Sequence, residues 1–515
     1  MLGGEDRVSR VGMMPALQIL LKETEICVMR QIATGGCPNF TTDGWQSKKG
    51  DHSLTVTLHW LSETFEMVSV VLGAPPIPDR STNEVIATLI TQRIEKFNLT
   101  TSQLSNGCID QGANYQKALR QRLRVNVLDC ICHLLNHVME DVGEAVFQDC
   151  TAWAHRLVDC LKNSLIPRLA LETVQRTRNR PVKHLKRSVK PRWAYNIPVF
   201  QRIIDVWEDL EEAAVTCQPI REIWFGNPGK WKLQAIIDVL THVSVLITRF
   251  QPQSKSVIGE TFPALMELYR FAKQDTPIGP GDLNLFKSHL HESLRTVLRD
   301  RFHFDRTVPN QWLISSCLDP RFKDMVFVAQ NLPTPLDRSM PKLIRQTHKN
   351  IQSELAAMVA AGERVVEVFH DQVDLDALDA QIDVDAALPQ GIGADVIRRH
   401  EVAHDGHFVM MFGARVLEEV NRPVVVEETW QQQWEKFRRE PQIMVQDDPL
   451  RWWNNNKDKF PLVAKLARKY LAMQVSAAAS ERVWSLAGNV ESKKRMSLDP
   501  ETLHQVLFIK SNLQR

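Results

Sequence analysis

The chain has 515 residues, of which 43% are hydrophobic and 24% charged, and its 63 Lys and Arg residues almost balance its 61 Asp and Glu residues. This length predicts two or three domains, and the balanced charge excludes any argument for nucleic-acid binding from net charge alone. No stretch approaches the roughly 18 apolar residues of a membrane span, and the first ten residues lack the features of a signal peptide. We therefore expect an intracellular protein without membrane contact, whose nine cysteines form no disulfide framework.

The N-terminal part is predicted to be a helical lead-in followed by a sheet. Residues 1–36 carry apolar residues at helical spacing, and from Phe40 onward β-branched and aromatic residues alternate with polar ones, which predicts an antiparallel meander of three strands. A helix from about Asn83 to Phe97 and a short strand from Gly107 to Asp110 follow. This β-β-β-α-β-α order indicates an α/β fold with an RNase H-like mixed sheet.

The middle of the chain is predicted to be almost entirely helical. A cluster of cysteine and histidine side chains begins at Cys130, and the segment from Arg176 to Arg192 carries eight Lys or Arg residues and no acid. From Trp193 to about Leu450 the apolar periodicity is helical, as in the run KLQAIIDVLTHVSVLITRF. The segment from Asp371 to Asp385 holds six Asp and no basic residue, which favours a solvated loop.

The C-terminal part, residues 449–515, regains a clear pattern of short amphipathic helices. One of these, SAAASERVWSLAGN from Ser476, carries Glu481 in its first turn. A second begins at Asp499-Pro500, which indicates an N-cap followed by a proline at the first helical position.

Three carboxylates are candidates for a metal-dependent site. Asp43 and Asp110 fall at predicted strand ends, where polar groups can converge without disrupting the core. Cleavage of a phosphodiester by two metals requires carboxylates that hold two divalent cations about 3.5–4 Å apart, and Mg²⁺ prefers oxygen ligands. Spacing alone favours the alternative that these residues and Glu481 are ordinary surface or capping carboxylates, because the chain has 61 acidic residues.

The motifs around these residues carry a family resemblance. They are TTDGWQS around Asp43, CIDQGANY around Asp110, CICHLLN from Cys130, PRW ending at Trp193, LDPRFK from Leu318, and DPLRWW, FPLVAKLARKYL and SAAASERVWSLAGNV in the C-terminal part. In this order, from about Cys37 to Leu513, they closely resemble the hAT superfamily of DNA transposases, and the C-terminal part resembles the hAT dimerisation region most strongly.

The resemblance implies a split catalytic domain. Residues 37–165 would form the first part of an RNase H-like domain, residues 166–448 a basic linker and an α-helical insertion with an acidic loop at about 370–395, and residues 449–515 would complete the catalytic domain. It also implies an acidic triad of Asp43, Asp110 and Glu481 that binds Mg²⁺ or Mn²⁺. A nuclear protein that acts on DNA as a homodimer or higher homo-oligomer is expected.

The basic segment is the predicted DNA-binding region. It includes Lys186, Arg187, Lys190 and Arg192, and it ends beside Trp193. The resemblance places Arg192 and Trp193 near a flipped base, where stacking on an aromatic ring contributes about 1–3 kcal/mol per base. Trp193 as a core anchor, and the basic run as a nuclear localisation signal, remain alternatives.

Two further groups of residues have predicted roles. Cys130 and His133 correspond to a CxxH motif of the family and are expected to support the active site; a zinc site is the alternative, but no second ligand pair lies at a suitable distance, so no zinc is expected. A surplus apolar face is predicted to make the dimer contact through Trp452, Trp453, Leu503, Val506 and Leu507.

Three departures from the family pattern favour a domesticated protein. The chain begins almost at the first catalytic strand, so we expect it to lack the BED-type zinc finger of many relatives; Gln111 follows Asp110 where relatives usually have Asn; and the acidic segment adds negative charge to a DNA-handling domain. All three carboxylates remain. The hypotheses are therefore an active two-metal transposase or nuclease and, alternatively, a catalytically inactive nuclear protein that dimerises and binds DNA.

Overall fold

The computed structural model describes residues 10–47, 49–78, 80–186, 196–273, 282–303, 308–325, 336–361, 429–490 and 498–513. Its strands are β1 (Asn39–Gln46), β2 (His52–Leu61), β3 (Met67–Gly73), β4 (Pro76–Ile77), β5 (Gly107–Ile109) and β6 (Val127–Asp129). Its first helices are α1 (Arg10–Ala33), α2 (Asn83–Lys96), α3 (Ala113–Lys117), α4 (Ile131–Val142), α5 (Gln148–Asn163) and α6 (Leu165–Thr177).

The remaining described helices form the middle and the C-terminal part of the chain. The middle contains α7 (Asn196–Asp205), α8 (Trp207–Thr216), α9 (Gln218–Trp224), α10 (Lys230–Arg249), α11 (Ile258–Lys273), α12 (Asp282–Phe302), α13 (Asn310–Leu318) and α14 (Leu336–Ala360). The C-terminal part contains α15 (Trp430–Arg439), α16 (Pro449–Asn456), α17 (Pro461–Leu471), α18 (Ala478–Val490) and α19 (Pro500–Leu513).

The sheet is mixed, with the path β3-β2-β1-β5-β6 and β4 paired to the start of β2. The first three strands form the antiparallel meander that the sequence predicts, and β5 and β6 run parallel to β1. The predicted α/β fold with a mixed sheet is confirmed. The short strand predicted at Gly107 to Asp110 is present as β5, whereas β4 and β6 are not predicted from the sequence, because their two and three residues show no alternating pattern.

The central strands β1 and β2 are buried on both faces. On one face Phe40, Leu54, Val56 and Leu58 join an apolar core that includes residues of α1, α2 and α19. The opposite face of β2 carries polar residues that alternate with these, and His59 there is fully buried. Alternation usually marks a strand with one solvated face, so here other parts of the chain must cover the polar side.

The helical middle and the C-terminal helices share one core. It extends from α4 through α5–α13 to α16 and α17, and it contains a buried ion-pair network in which Arg321 contacts Asp319 at 2.7 Å and Glu260 at 3.0 Å. Of the described helices, α10 is long and apolar enough to cross a membrane by length and composition. Its residues Leu233, Ile236 and Val243 are fully buried in this core, as expected for the central helix of a globular domain.

Candidate active site

The two N-terminal carboxylates lie at neighbouring strands. Asp110 directly follows β5 as predicted, whereas Asp43 is the fifth of the eight residues of β1, so its predicted position at a strand end is wrong. Thr41 of β1 is paired with Cys108 of β5, so continuing this register by two residues places Asp43 opposite Asp110. Residues in register on adjacent parallel strands project from the same face of a sheet. The burial of β1 also changes here, since its first four residues are buried and Asp43 is half-buried. From Asp43 onward, the residues of β1 are therefore no longer fully buried.

The third carboxylate is brought to β1 by α18. Ser480, which precedes Glu481, lies with its Oγ 2.8 Å from Oγ1 of Thr41 on β1. Because side chains two residues apart on a strand share a face, Thr41 and Asp43 both project towards α18. Glu481 is therefore next to the two carboxylates in space, although it follows Asp110 by hundreds of residues in sequence.

Electrostatic coupling joins the three groups. The pKa of the Asp43 carboxyl is raised to about 8, first by burial and then by the negative charges of Asp110 and Glu481. Like charges disfavour each other's ionised forms only when they are close. The charges of Asp110 and Glu481 therefore act on the Asp43 carboxyl, which indicates that all three residues lie at the same end of the sheet.

Backbone groups orient two of the carboxylates. Oδ1 of Asp43 accepts a hydrogen bond from the Gly44 amide at 2.8 Å, and Oδ1 of Asp110 accepts one from the Gly112 amide at 3.0 Å. Gly44 also makes room for Tyr115, because a Cβ at this position would lie 2.6 Å from the Tyr115 hydroxyl. Any larger residue after Asp43 would displace the ring.

The chemistry of the donor set fits hard divalent cations, since all three groups are carboxylates. Within the described ranges, no three His, Cys, Asp or Glu side chains are close enough to hold a metal ion as they stand. The chemistry of the donors therefore suits such a cation, but the side-chain positions in the described residues do not form a complete ligand set.

The segment that leads into α18 is tied to the start of α4 and the end of α10. The Ile131 amide donates to the Val475 carbonyl at 2.8 Å, and the Ala477 amide donates to Sγ of Cys130 at 3.3 Å. On the other side, Ser476 Oγ donates to the Phe250 carbonyl at 2.9 Å. Cys130 therefore contacts the backbone that carries Glu481.

His133, the other residue of the CxxH pair, makes a different contact. Its Nε2 lies 2.9 Å from Nε2 of His137, whose Nδ1 lies 2.8 Å from Oε2 of Glu140. This series runs along the surface of α4. His133 thus has a hydrogen-bond partner on its own helix.

The predicted DNA-binding residues are mostly outside the described residues. Arg187, Lys190, Arg192 and Trp193 fall there, as does the acidic segment 371–385, and Lys186 is exposed at the end of the preceding described range.

Two arginines in the described part of the basic segment form ion pairs with an acidic residue. Arg178 and Arg180 each donate to Oδ1 of buried Asp209 at 3.0 Å. These two guanidinium groups therefore help to anchor the segment to α8.

The prediction of a surplus apolar face for dimer contacts is corrected by burial. Trp453, Leu503 and Leu507 are 0%, 6% and 1% exposed, while Trp452 and Val506 are half-buried against the same clusters. The Trp453 indole also donates to the Leu318 carbonyl at 2.9 Å. The pattern of apolar residues predicts an exposed apolar face that a second chain could cover, but helices and strands of the same chain cover it.

Sequence analysis missed an aromatic pair beside the carboxylates. Trp45 lies two residues after Asp43 and Trp484 lies three residues after Glu481, and their rings stack with centroids 5.3 Å apart and an interplanar angle of 8°. Val483, Trp484 and Leu486 pack against the sheet in one cluster with Val71 of β3. The i+2 and i+3 spacings are visible in the sequence, but the meeting of the two rings depends on the docking of α18.

Comparisons with known proteins place the chain among transposase relatives. The family model described as "hAT family C-terminal dimerisation region" matches residues 428–513. The chain is 20% identical over 493 residues to human zinc finger BED domain-containing protein 4, which covers 93% of this chain and 38% of that protein. It is 22% identical over 277 residues to the Hobo transposase of Drosophila melanogaster, covering 52% of this chain and 39% of that protein.

A third relative matches only the C-terminal part. The putative AC transposase of Zea mays is 33% identical over 78 residues, which is 15% of this chain and 10% of that protein. The chain thus spans about two-fifths of the length of the first two relatives. The family match identifies residues 428–513 as similar to the hAT dimerisation region, and these relatives show that the chain is similar to transposases and to a zinc finger BED domain-containing protein.

Proposed function

We propose that the chain binds DNA and that Asp43, Asp110 and Glu481 form a divalent-metal site for DNA strand cleavage and transfer. The proposal includes an RNase H-like identity for the sheet, which is supported by the meander followed by parallel strands at β1. The observation that supports it is the geometry of β1: in its register with β5, Asp43 lies opposite Asp110, and its Thr41 contacts Ser480, the residue before Glu481, at 2.8 Å.

The carboxylates would hold Mg²⁺ or Mn²⁺ through their oxygens. Bound ions would supply activation of the attacking oxygen and stabilisation of the leaving oxygen. The chain's own contribution is orientation, because the Gly44 and Gly112 amides fix Asp43 and Asp110 and the docking of α18 aims Glu481. Lys186 and the basic residues that follow it would bind phosphates.

Mn²⁺-dependent nicking of a supercoiled plasmid tests the catalytic proposal. Wild-type protein should nick the plasmid, and Glu481→Gln should reduce the rate by at least about 100-fold, because the neutral amide is a poor ligand for a hard cation. Glu501→Gln is the matched control, since Glu501 is an exposed acid in the first turn of the neighbouring helix α19. Nicking that is equal in wild type and Glu481→Gln would overturn the assignment.

The second candidate is a catalytically inactive nuclear protein that dimerises and binds DNA. It is favoured by the family match at residues 428–513, which concerns dimerisation, and by Gln111 beside Asp110. Sedimentation at micromolar concentration should show a homodimer or larger assembly that persists in Glu481→Gln. A monomer at that concentration would contradict self-association in both candidates.

A further inference from the structure

An unbroken series of buried hydrogen bonds crosses the polar face of the sheet. It runs from Ser69 of β3 to Nδ1 of His59 at 2.7 Å, from Nε2 of His59 to Thr57 at 2.9 Å, from Thr57 to Thr41 at 2.6 Å, and from Thr41 to Ser480 at 2.8 Å. Each of these five side chains is at most 8% exposed. We call this series the polar chain.

The polar chain ends at the residue before Glu481. Burying a polar group without a partner costs about 1–3 kcal/mol, so Thr41, Thr57 and His59 need one another on this covered face. Ser480 adds a partner from α18 to the strand residues. The sheet therefore offers α18 a directional contact at its first turn.

Apolar packing alone does not define that first turn. Further along α18, Val483 and Trp484 pack in an apolar cluster, and apolar burial is non-directional. A helix can rotate or slide on such a surface with only a small loss of packing free energy.

Two directional contacts restrict this movement beside Glu481. Ser480 contacts Thr41 of the sheet at 2.8 Å. Arg482 donates to the Gln251 carbonyl after α10 at 3.2 Å.

We infer that Thr41 and Ser480 are positioning residues that hold Glu481 at the candidate active site through the polar chain anchored at His59. This inference rests on the proposed function for its catalytic consequence, but the ordering of the first turn of α18 can be measured without catalysis. Neither residue touches a substrate in this assignment. Both act through the placement of Glu481.

The members of the polar chain are coupled through the directions of their hydrogen bonds. Each hydroxyl has one hydrogen to donate, and His59 contacts a hydroxyl through each ring nitrogen, so the direction of one bond limits that of the next. Thr57 can also donate to the Thr41 carbonyl at 3.4 Å. Loss of any hydroxyl interrupts this order. Thr41→Val and Ser480→Ala should therefore be non-additive, with the double variant no worse than the more affected single variant.

The chain offers a matched control on the same strand. Thr41→Val removes the hydroxyl at nearly constant volume. Thr42→Val does the same one residue later, where the hydroxyl is equally buried but donates to the Thr55 carbonyl at 2.6 Å and faces away from α18. The two variants thus match in strand, burial and chemistry, and they differ in contact with the polar chain.

Two measurements on the full-length protein test the inference. In Mn²⁺-dependent plasmid nicking, Thr41→Val and Ser480→Ala should lower kcat on the order of 10- to 100-fold, with KM for DNA within about twofold, because a misplaced group costs rate more than binding. In hydrogen–deuterium exchange, the amides of residues 480–484 should exchange faster in both variants. Thr41→Ser keeps a hydroxyl at this position, so it should have the kcat and the exchange rates of wild type. Thr42→Val should also have the wild-type kcat and exchange rates.

The outcomes separate this inference from the proposed function. If wild-type protein does not nick DNA, the catalytic proposal fails, and hydrogen–deuterium exchange still decides whether the polar chain orders the first turn. Equal exchange in Thr41→Val and Thr42→Val would overturn the inference. If wild-type protein is active, equal kcat values for these two variants would overturn it as well.

Discussion

At the scale of single residues, the main feature is the protonation of Asp43. Its pKa in the folded protein, about 8, lies above the ordinary carboxyl value of 3.8 because of burial and the charges of Asp110 and Glu481. Between these pH values the folded state binds more protons than the unfolded state. The contribution of Asp43 to stability in the absence of metal should therefore fall as pH rises from about 4 to 8.

Asp43→Asn should remove this pH dependence. A neutral amide carries no charge to desolvate, and one pKa unit corresponds to about 1.4 kcal/mol. Asp43 is half-buried, so solvent screening reduces the effect. We expect the free energy of unfolding of the variant to exceed that of wild type by about 2 kcal/mol above pH 8, and the two values to converge near pH 4. Urea unfolding in a chelator across this range measures the difference. A difference that stays constant with pH would contradict burial and charge repulsion as its cause.

Binding of a metal ion should stabilise the folded wild-type protein, whereas ionisation of Asp43 without a metal destabilises it. Mn²⁺ favours the ionised carboxylates, so it should raise the melting temperature at pH 8, whereas Asp43→Asn should respond less. Differential scanning calorimetry with and without Mn²⁺ distinguishes the two proteins, and an equal response would place the ion elsewhere.

At the scale of elements, α19 is docked to the sheet by polar as well as apolar contacts. Nδ1 of His504 accepts a hydrogen bond from the Ala74 amide at 2.9 Å, and Asn512 exchanges two hydrogen bonds with the Val71 backbone at 3.0 and 2.9 Å. Gly73 allows this approach, because a Cβ there would lie 2.6 Å from Cε1 of His504. Burial lowers the pKa of His504 to about 3, so the ring is neutral in the docked helix.

The docking of α19 should weaken in acid. Below the ordinary pKa of 6.5 the unfolded state binds a proton that the folded state excludes, so stability is lost as pH falls from 6.5 towards 3. We expect the free energy of unfolding of the wild-type protein to fall by about 2 kcal/mol between pH 7 and pH 4.5. His504→Asn should largely abolish this loss, because its Oδ1 can still accept the hydrogen bond from the Ala74 amide. Chemical denaturation at both pH values measures it. His52→Asn, at an exposed position on the same sheet, should keep the wild-type slope.

At the scale of the whole molecule, the C-terminal part belongs to the interior. Phe460 and Leu466 are fully buried in the core shared with the helical middle, and Leu507 is buried with α18. Arg468 reaches across to the Leu61 carbonyl of β2 at 3.1 Å. The region that the family match associates with dimerisation is thus also needed to complete the fold of one chain.

Deletion of residues 449–515 should therefore unfold the protein instead of producing a folded monomer. The truncation removes several fully buried side chains, each worth about 2–5 kcal/mol, which exceeds the 5–15 kcal/mol that stabilise a typical domain. Near-UV circular dichroism and limited proteolysis should show loss of tertiary structure. A soluble, protease-resistant monomer would contradict this role of the C-terminal part.

The sequence by itself determined the local elements and the identity of the candidate carboxylates. The alternation from Phe40 predicted the meander, helical spacing predicted α2 and the helical middle, and the motifs around Asp43, Asp110 and Glu481 indicated the family. These signals are local or are carried by short motifs, so they can be recognised before the chain is folded.

Only the tertiary structure decided which faces are covered and which distant residues meet. Alternation in β2 predicts a solvated polar face, but α18 and the segment before it bury that face and make Thr41, His59 and Ser480 one hydrogen-bonded unit. Likewise, the apolar face of α19 predicts a partner contact and instead covers the sheet. Periodicity shows that a face must be buried, whereas the surface that buries it depends on the packing of the whole chain.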